Sequence, residues 1–304
     1  MKKFVSLFVA VLLLSCAAMA EGGFTASAPT GAPALALATL AVDDPDSYTF
    51  VAAETISAEF ANATADFIIA PLNAGAKLYK MGKSTYKLAA VVSWGNLFIA
   101  SQKENFRLED INGASITIFG ENTINASVVK YALEANGLTP ASIEYLASAA
   151  NTQTLLLSDA EAIVVTAEPA LTAAKIKNEK ITSYAVNDLY KAATGFEGYT
   201  QAALFVKAET AANQPEAVAE FLARVEASCA KCTEDVSAVA DAAVALTILP
   251  NVKVANSAIP GCAIRYMSAA DAREQVETTA NIDLAQFGGE LPADDFYYTG
   301  HVVE

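Results

Sequence analysis

Residues 86–101 read YKLAAVVSWGNLFIAS. The stretch is rich in β-branched, aromatic and small apolar residues. It is nearly three times the roughly 5–6 residues of an ordinary strand. Trp94-Gly95-Asn96 interrupts it, and a Gly inside a strand pattern marks a bend or a close approach. A second β-rich stretch, YTQAALFVK at 199–207, follows about a hundred residues later. Between the two lies a self-contained alternation of strand-like and helix-like runs. The economical reading is a chain that leaves one unit along 86–101, builds a second, and returns along 199–207. This predicts an α/β protein of two lobes, with an outer lobe of 21–99 and 203–304, an inner lobe of 100–202 inserted into it, and two crossing strands as a hinge.

Working outward, strands are expected at 24–28, 48–52, 66–70, 115–119, 142–146, 161–165 and 181–185. Helices are expected at 32–41, 54–63, 73–80, 123–136, 151–158, 168–177, 187–193, 214–232, 235–247 and 268–279. Such alternation predicts parallel sheets covered on both faces. Ligands of open parallel sheets sit beyond the carboxyl ends of strands, where helix N-termini point. The candidate positions are therefore the strand-end loops and the crossings.

Residues 1–20 read as an export signal, with Lys2 and Lys3 before an apolar run at 4–14 that is too short to span a bilayer. Leu13-Leu14-Ser15-Cys16 has the form of a lipobox, which would place a lipid on Cys16, and Ala18-Met19-Ala20 has the form of an ordinary cleavage site. The formal net charge is −15, a surface that repels nucleic acid and anionic headgroups. Cys229 and Cys232 form a C-x-x-C, but late in a helical pattern rather than at the helix N-terminus that a redox dithiol requires. With Cys262 they read as structural or disulfide cysteines. The chain has one His, His301, and no P-loop, G-x-G-x-x-G or metal-ligand cluster. No catalytic residue, metal or cofactor is assigned.

Seven stretches together carry a family resemblance: APTGAPALALA (28–38), ADFIIAPLNAGAKLY (65–79), 86–101, LEDINGASITIFG (108–120), VVTAEPALT (164–172), 199–207 and FGGELPADDFYY (287–298). In this order they resemble the substrate-binding proteins of ABC importers, in the branch that binds aliphatic sulfonates, nitrate and thiamine-pyrimidine precursors. The resemblance implies a two-lobed type II periplasmic-binding fold that closes on a small molecule and delivers it to a permease and its ATPase. It implies an extracytoplasmic location, with the membrane reached through a lipid anchor only. The Cys-rich motif and His of the related fungal pyrimidine synthases are absent, which counts against an enzyme of the same superfamily. A ligand-sensing subunit of a membrane receptor would have the same kind of sequence.

The candidate ligand contacts follow from strand ends and crossings. Thr30 and Gly31 close the first strand, as a cap or as a ligand loop. Asn73 and Ala74 follow FIIAPL, and an amide there offers a donor and an acceptor. Trp94 can stack on a planar ligand or pack the lobe junction, with Asn96 two residues on. Thr123, Asn125 and Ser148 lie in inner-lobe loops, as helix caps or ligand contacts. Glu168 is the one acid in a strand-end loop of the matching stretches, either pairing with an amino or amidine group or favouring a helix start. Tyr199 and Gln201 share one face of the second crossing. Without Lys or Arg in these loops, the expected ligand is neutral or cationic, small and polar, with nitrogenous heterocycles included.

Overall fold

The computed structural model describes residues 23–300. The candidate export signal at 1–20, with its candidate lipid site Cys16, and His301 lie outside the described residues. Among the described residues eleven strands run in order: β1 (Ala26–Pro29), β2 (Tyr48–Val51), β3 (Phe67–Pro71), β4 (Tyr86–Ser93), β5 (Leu97–Ser101), β6 (Ser115–Phe119), β7 (Ser142–Leu146), β8 (Ile163–Ala167), β9 (Thr182–Ala185), β10 (Ala202–Lys207) and β11 (Ile264–Ser268). They form two sheets. The six-stranded sheet has the order β11-β4-β10-β3-β1-β2, and the five-stranded one β7-β6-β8-β5-β9. The α/β class and two-unit architecture match the sequence expectation.

The sheets are mixed rather than parallel. β1 pairs in parallel with β2 and β3, and β6 with β7 and β8. β10 runs antiparallel to β3 and β4, and β5 antiparallel to β8 and β9. The reversed strands flank the crossings, because a chain that leaves one sheet and later returns enters against the direction in which it left. Residues 86–101 are two strands, one in each sheet, broken at Trp94–Asn96. The second crossing is also shorter as a strand than its sequence suggests. Pairing begins at Ala202, and Tyr199–Gln201 is irregular backbone whose Gln201 N–H donates to Ser93 O at 3.0 Å.

The central strands are buried along their length because helices cover both faces of each sheet. Phe67, Ile68, Ile69 and Ala70 of β3 are all inaccessible. The helix Pro215–Glu234 buries Val218, Phe221, Val225, Cys229 and Cys232, a spacing of three and four that keeps one stripe on the sheet. Phe221 stacks on Phe67 at 4.1 Å between ring centres. Cys229, Cys232 and Cys262 are free and buried. Burial pushes the Cys232 thiol up to about 12 and raises the other two, which disfavours the thiolate that redox chemistry requires. A continuous apolar cluster joins the two units through Trp94, Leu97, Tyr190 and Tyr199.

Candidate functional site

The carboxyl ends of β1, β2, β3 and β6 converge on a cavity of about 330 Å³ between the two sheet units. From the six-stranded side its wall comprises Pro29, Thr30, Pro33, Ala53, Pro71, Asn73 and Ala74. From the five-stranded side come Thr123, Ile124 and Asn125. Asn96, Gln201 and Ala202 contribute from the crossings, and Gln286 from the C-terminal segment. No ionisable side chain is among these residues.

Two helix starts form part of the wall. The helix Leu72–Lys80 presents Asn73 and Ala74 in its first turn, directly after β3. The helix Ile124–Ala135 presents Ile124 and Asn125, and Thr123 is its N-cap, accepting the Ala126 N–H at 3.3 Å. The first N–H groups of a helix lack intrahelical partners and carry its positive dipole end. Asn73 Oδ1 is shut from solvent and accepts no hydrogen bond among the described residues. A buried acceptor left open carries a desolvation cost that a donor would relieve.

The amides at the crossings are tied together. Gln201 Nε2 donates to Asn96 Oδ1 at 3.0 Å and approaches Asn125 Oδ1 at 3.4 Å. Ser93 Oγ donates to Gln201 Oε1 at 3.0 Å, and Asn96 Nδ2 donates to Glu168 O at 3.0 Å. One network thus touches both sheets and both crossings. Gln286 Nε2 donates to Asn122 O at 2.9 Å and Ser127 Oγ to Asp283 Oδ2 at 2.7 Å. The same C-terminal segment holds the six-stranded side through Lys80 Nζ, which donates to Gly288 O at 2.8 Å, and Tyr79 Oη, which reaches Asp295 Oδ2 at 3.0 Å.

Of the sequence candidates, Thr30, Asn73, Ala74, Asn96, Thr123, Asn125 and Gln201 line this cavity, and five do not. Gly31 adds no atom to the wall, although Thr30 and Pro33 on either side of it do. Trp94 faces β11: its indole donates to Arg265 O at 2.7 Å, and the Arg265 guanidinium lies 4.3 Å above its ring. The lone Trp is a packing residue of the junction. Ser148 caps an exposed helix start by accepting the Asn151 N–H at 3.3 Å. Tyr199 is fully buried behind the wall, its hydroxyl donating to Asn125 Oδ1 at 3.0 Å.

Glu168 corrects the expectation of a cation partner. Its carboxylate accepts the Thr172 N–H at 3.0 Å and the Thr172 hydroxyl at 2.9 Å. It sits beside Gly261 and faces a separate groove with Lys175 and Lys253. Burial raises its carboxyl above the ordinary range, opposed in part by the two Thr172 bonds. The folded state therefore holds this proton more tightly than the unfolded chain. The group's stabilisation is fullest below its unfolded pKa and declines as pH rises through the raised folded value. Glu168→Gln is expected to gain Tm relative to the parent at pH 7 compared with pH 4, and to bind cavity ligands as the parent does. Thermal melts at the two pH values with calorimetry check this; a tenfold loss of affinity would return Glu168 to the site.

Gln286, Ile124, Ala53, Ala202 and the prolines of the wall were not legible as site residues. Gln286 immediately precedes the matching stretch 287–298, and its only signal is that adjacency.

Two α/β units, each with a mixed sheet, meeting at two crossings around a cavity at strand ends, define the architecture of periplasmic binding proteins. The chain belongs to the NMT1/THI5-like family, whose model matches residues 86–238, half of its length. No curated protein matches it. Among solved structures it is similar to an ABC transporter protein from Parabacteroides distasonis, at 21% identity and a TM-score of 0.78 over 91% of this chain and 98% of that one. It is also similar to the periplasmic aliphatic sulphonate binding protein SsuA of Escherichia coli, at 14% identity and a TM-score of 0.70 over 93% and 94%. The alkanesulfonate-binding protein SsuA of Xanthomonas axonopodis pv. citri shares 13% identity, with a TM-score of 0.62 over 91% and 98%.

Proposed function

We propose that this chain is the extracytoplasmic substrate-binding component of an ABC importer, which takes up a small, polar, uncharged molecule and presents it to a permease served by an ATPase. The observation that carries this reading is the uncharged cavity at the strand ends between the two sheet units, walled by two helix starts and five side-chain amides. The likeness to the Parabacteroides and Escherichia coli proteins supports it. In this role 21–99 with 203–304 form one lobe, 100–202 the other, and the crossings the hinge. Cys16 carries the lipid if the lipobox is used, and otherwise the protein is released. The described wall holds no ionisable side chain to activate a nucleophile or move a proton, which supports binding rather than catalysis.

Ligand class follows from the wall. A buried net charge needs a counter-charge, and none is supplied by a side chain here. Amides suit a compact molecule with its own donors and acceptors, nitrogenous heterocycles included. A second reading rests on the two helix starts, which together can hold an oxyanion such as a sulfonate without a cationic side chain.

A thermal-shift screen of pyrimidines, purines, sulfonates, nitrate, amines and amino acids tests both readings. A ligand at about 100 times its Kd stabilises by ~2.7 kcal/mol, or roughly 5–10 °C of Tm for a domain of this size. A neutral heterocycle is expected to give such a shift. Shifts from sulfonates alone favour the second reading, and a panel that gives no shift refutes both.

A further inference from the structure

The hydrogen-bond polarity of the cavity's inner wall is fixed by one backbone carbonyl. Asn96 lies 3.0 Å from Glu168 O. A carbonyl oxygen only accepts, so the nitrogen of the Asn96 amide is at that end and its Oδ1 is at the other. That Oδ1 is 3.0 Å from Gln201, which must present Nε2 to it. The Gln201 Oε1 then accepts from Ser93 Oγ at 3.0 Å. The second N–H of Gln201 is directed to Asn125 at 3.4 Å, so the Asn125 atom there is Oδ1. The buried Tyr199 hydroxyl donates to that same oxygen at 3.0 Å. Asn125 Nδ2 is left without a partner among the described residues, yet it is not a buried orphan, and Asn125 lines the cavity. It also sits in the first turn of the 12-residue helix Ile124–Ala135, where the dipole favours a ligand's acceptor.

We propose that Asn125 is a specificity-determining donor whose amide is held in one orientation by the positioning residues Gln201 and Tyr199, so that the cavity selects molecules that turn a hydrogen-bond acceptor toward this helix start. The proposal rests on the binding role given above and adds the orientation in which a ligand is read.

Two neutral probes of opposite polarity test it. Dimethyl sulfone only accepts hydrogen bonds, and pyrrole donates from its N–H. Isotope-labelled protein is titrated with each, and binding is followed by backbone amide shifts. Dimethyl sulfone is expected to move the side-chain NH₂ resonances of Asn125, which are assigned by their loss in Asn125→Asp. A carboxylate in that variant still accepts from Tyr199 and Gln201, but turns an acceptor to the cavity. Dimethyl sulfone is then expected to bind at least about tenfold more weakly, and pyrrole no more weakly than before. In Tyr199→Phe the Asn125 oxygen keeps only the longer bond to Gln201. The amide can turn over, and the preference between the two probes is expected to shrink, whereas a loss of packing alone would weaken both probes alike.

Unchanged dimethyl sulfone affinity in Asn125→Asp overturns the inference while leaving the binding role intact. So does pyrrole as the better probe of the parent's Asn125 amide. If neither probe nor any compound of the screen enters the cavity, the binding role fails and the inference falls with it.

Discussion

Phe205→Ala is expected to remove about 3–5 kcal/mol of stability, the range for truncating a fully buried Phe. Phe205 lies on β10, at the middle of the six-stranded sheet, and is inaccessible to solvent. Its ring centre is 5.1 Å from that of Phe60 and 6.1 Å from that of Phe296. Those two rings belong to a helical turn near the start of the chain and to the C-terminal turn Asp294–Phe296. The loss is a large fraction of the ~5–15 kcal/mol typical of a folded domain. Urea unfolding should show a lower midpoint at unchanged slope. Phe205→Leu, which keeps most of the volume, is expected to lose distinctly less. A midpoint in Phe205→Ala equal to the parent's would mean that the three elements are not packed through this ring.

Gly198→Ala is expected to cost about 3 kcal/mol, at the upper end of what overpacking does, and to abolish ligand binding. Gly198 lies just before Tyr199 on the second crossing. A Cβ there would overlap the Trp94 carbonyl oxygen, with Asn187 Nδ2 also only 3.1 Å away. Trp94 O is backbone, so no rotamer change makes room. It also accepts a 2.9 Å bond from Asn187 Nδ2, which binds Gly95 O at the same distance. Gly95, at φ 84, packs against the Tyr199 ring on the other side of this contact. Separating the crossings would therefore shift Tyr199 and Gln201 and break the amide network of the wall. Chemical unfolding and calorimetry with a compound found in the screen give the two readouts. Parent-like stability with parent-like affinity would contradict the close packing of the crossings.

The sequence carried the architecture because the two crossings leave a local trace. A run as long as 86–101 does not fit one strand, and Trp94-Gly95-Asn96 marks where it breaks. Strand direction left no such trace, since β10 reads the same whether parallel or antiparallel, and so the expectation of parallel sheets failed. β11 was missed altogether: Ile264–Ser268 is short and contains Arg265, and it forms a strand because β4 offers it an edge. In the site, strand-end loops were legible where an amide or hydroxyl follows an apolar run, as at Asn73, Thr123 and Asn125, although Ser148 in the same kind of position caps an exposed helix start. Side-chain direction was not. Trp94 and Asn96 lie two residues apart, yet one turns to Arg265 and the other to the cavity. Glu168 had the position of a ligand contact, and Thr172, one helical turn later, took its carboxylate instead. Gln286 reaches the wall only through tertiary folding, since it is remote in sequence from every other residue there.

The close stacking of the two crossings bears on the order of events in the proposed binding role. A pair of jaws moves least at its pivot and most at its tips. Asn96 is next to Gly95 and Gln201 is three residues beyond Gly198, so both amides stand at the pivot. Thr30 and Asn73 on one jaw, and Thr123 on the other, stand further out. In that role the pivot amides are expected to keep their mutual spacing as the jaws move, and so to offer a finished surface to a newcomer. The outer residues reach it only afterwards. Reading the molecule and retaining it thus fall to different side chains, the first governing how fast it is captured and the second how long it stays.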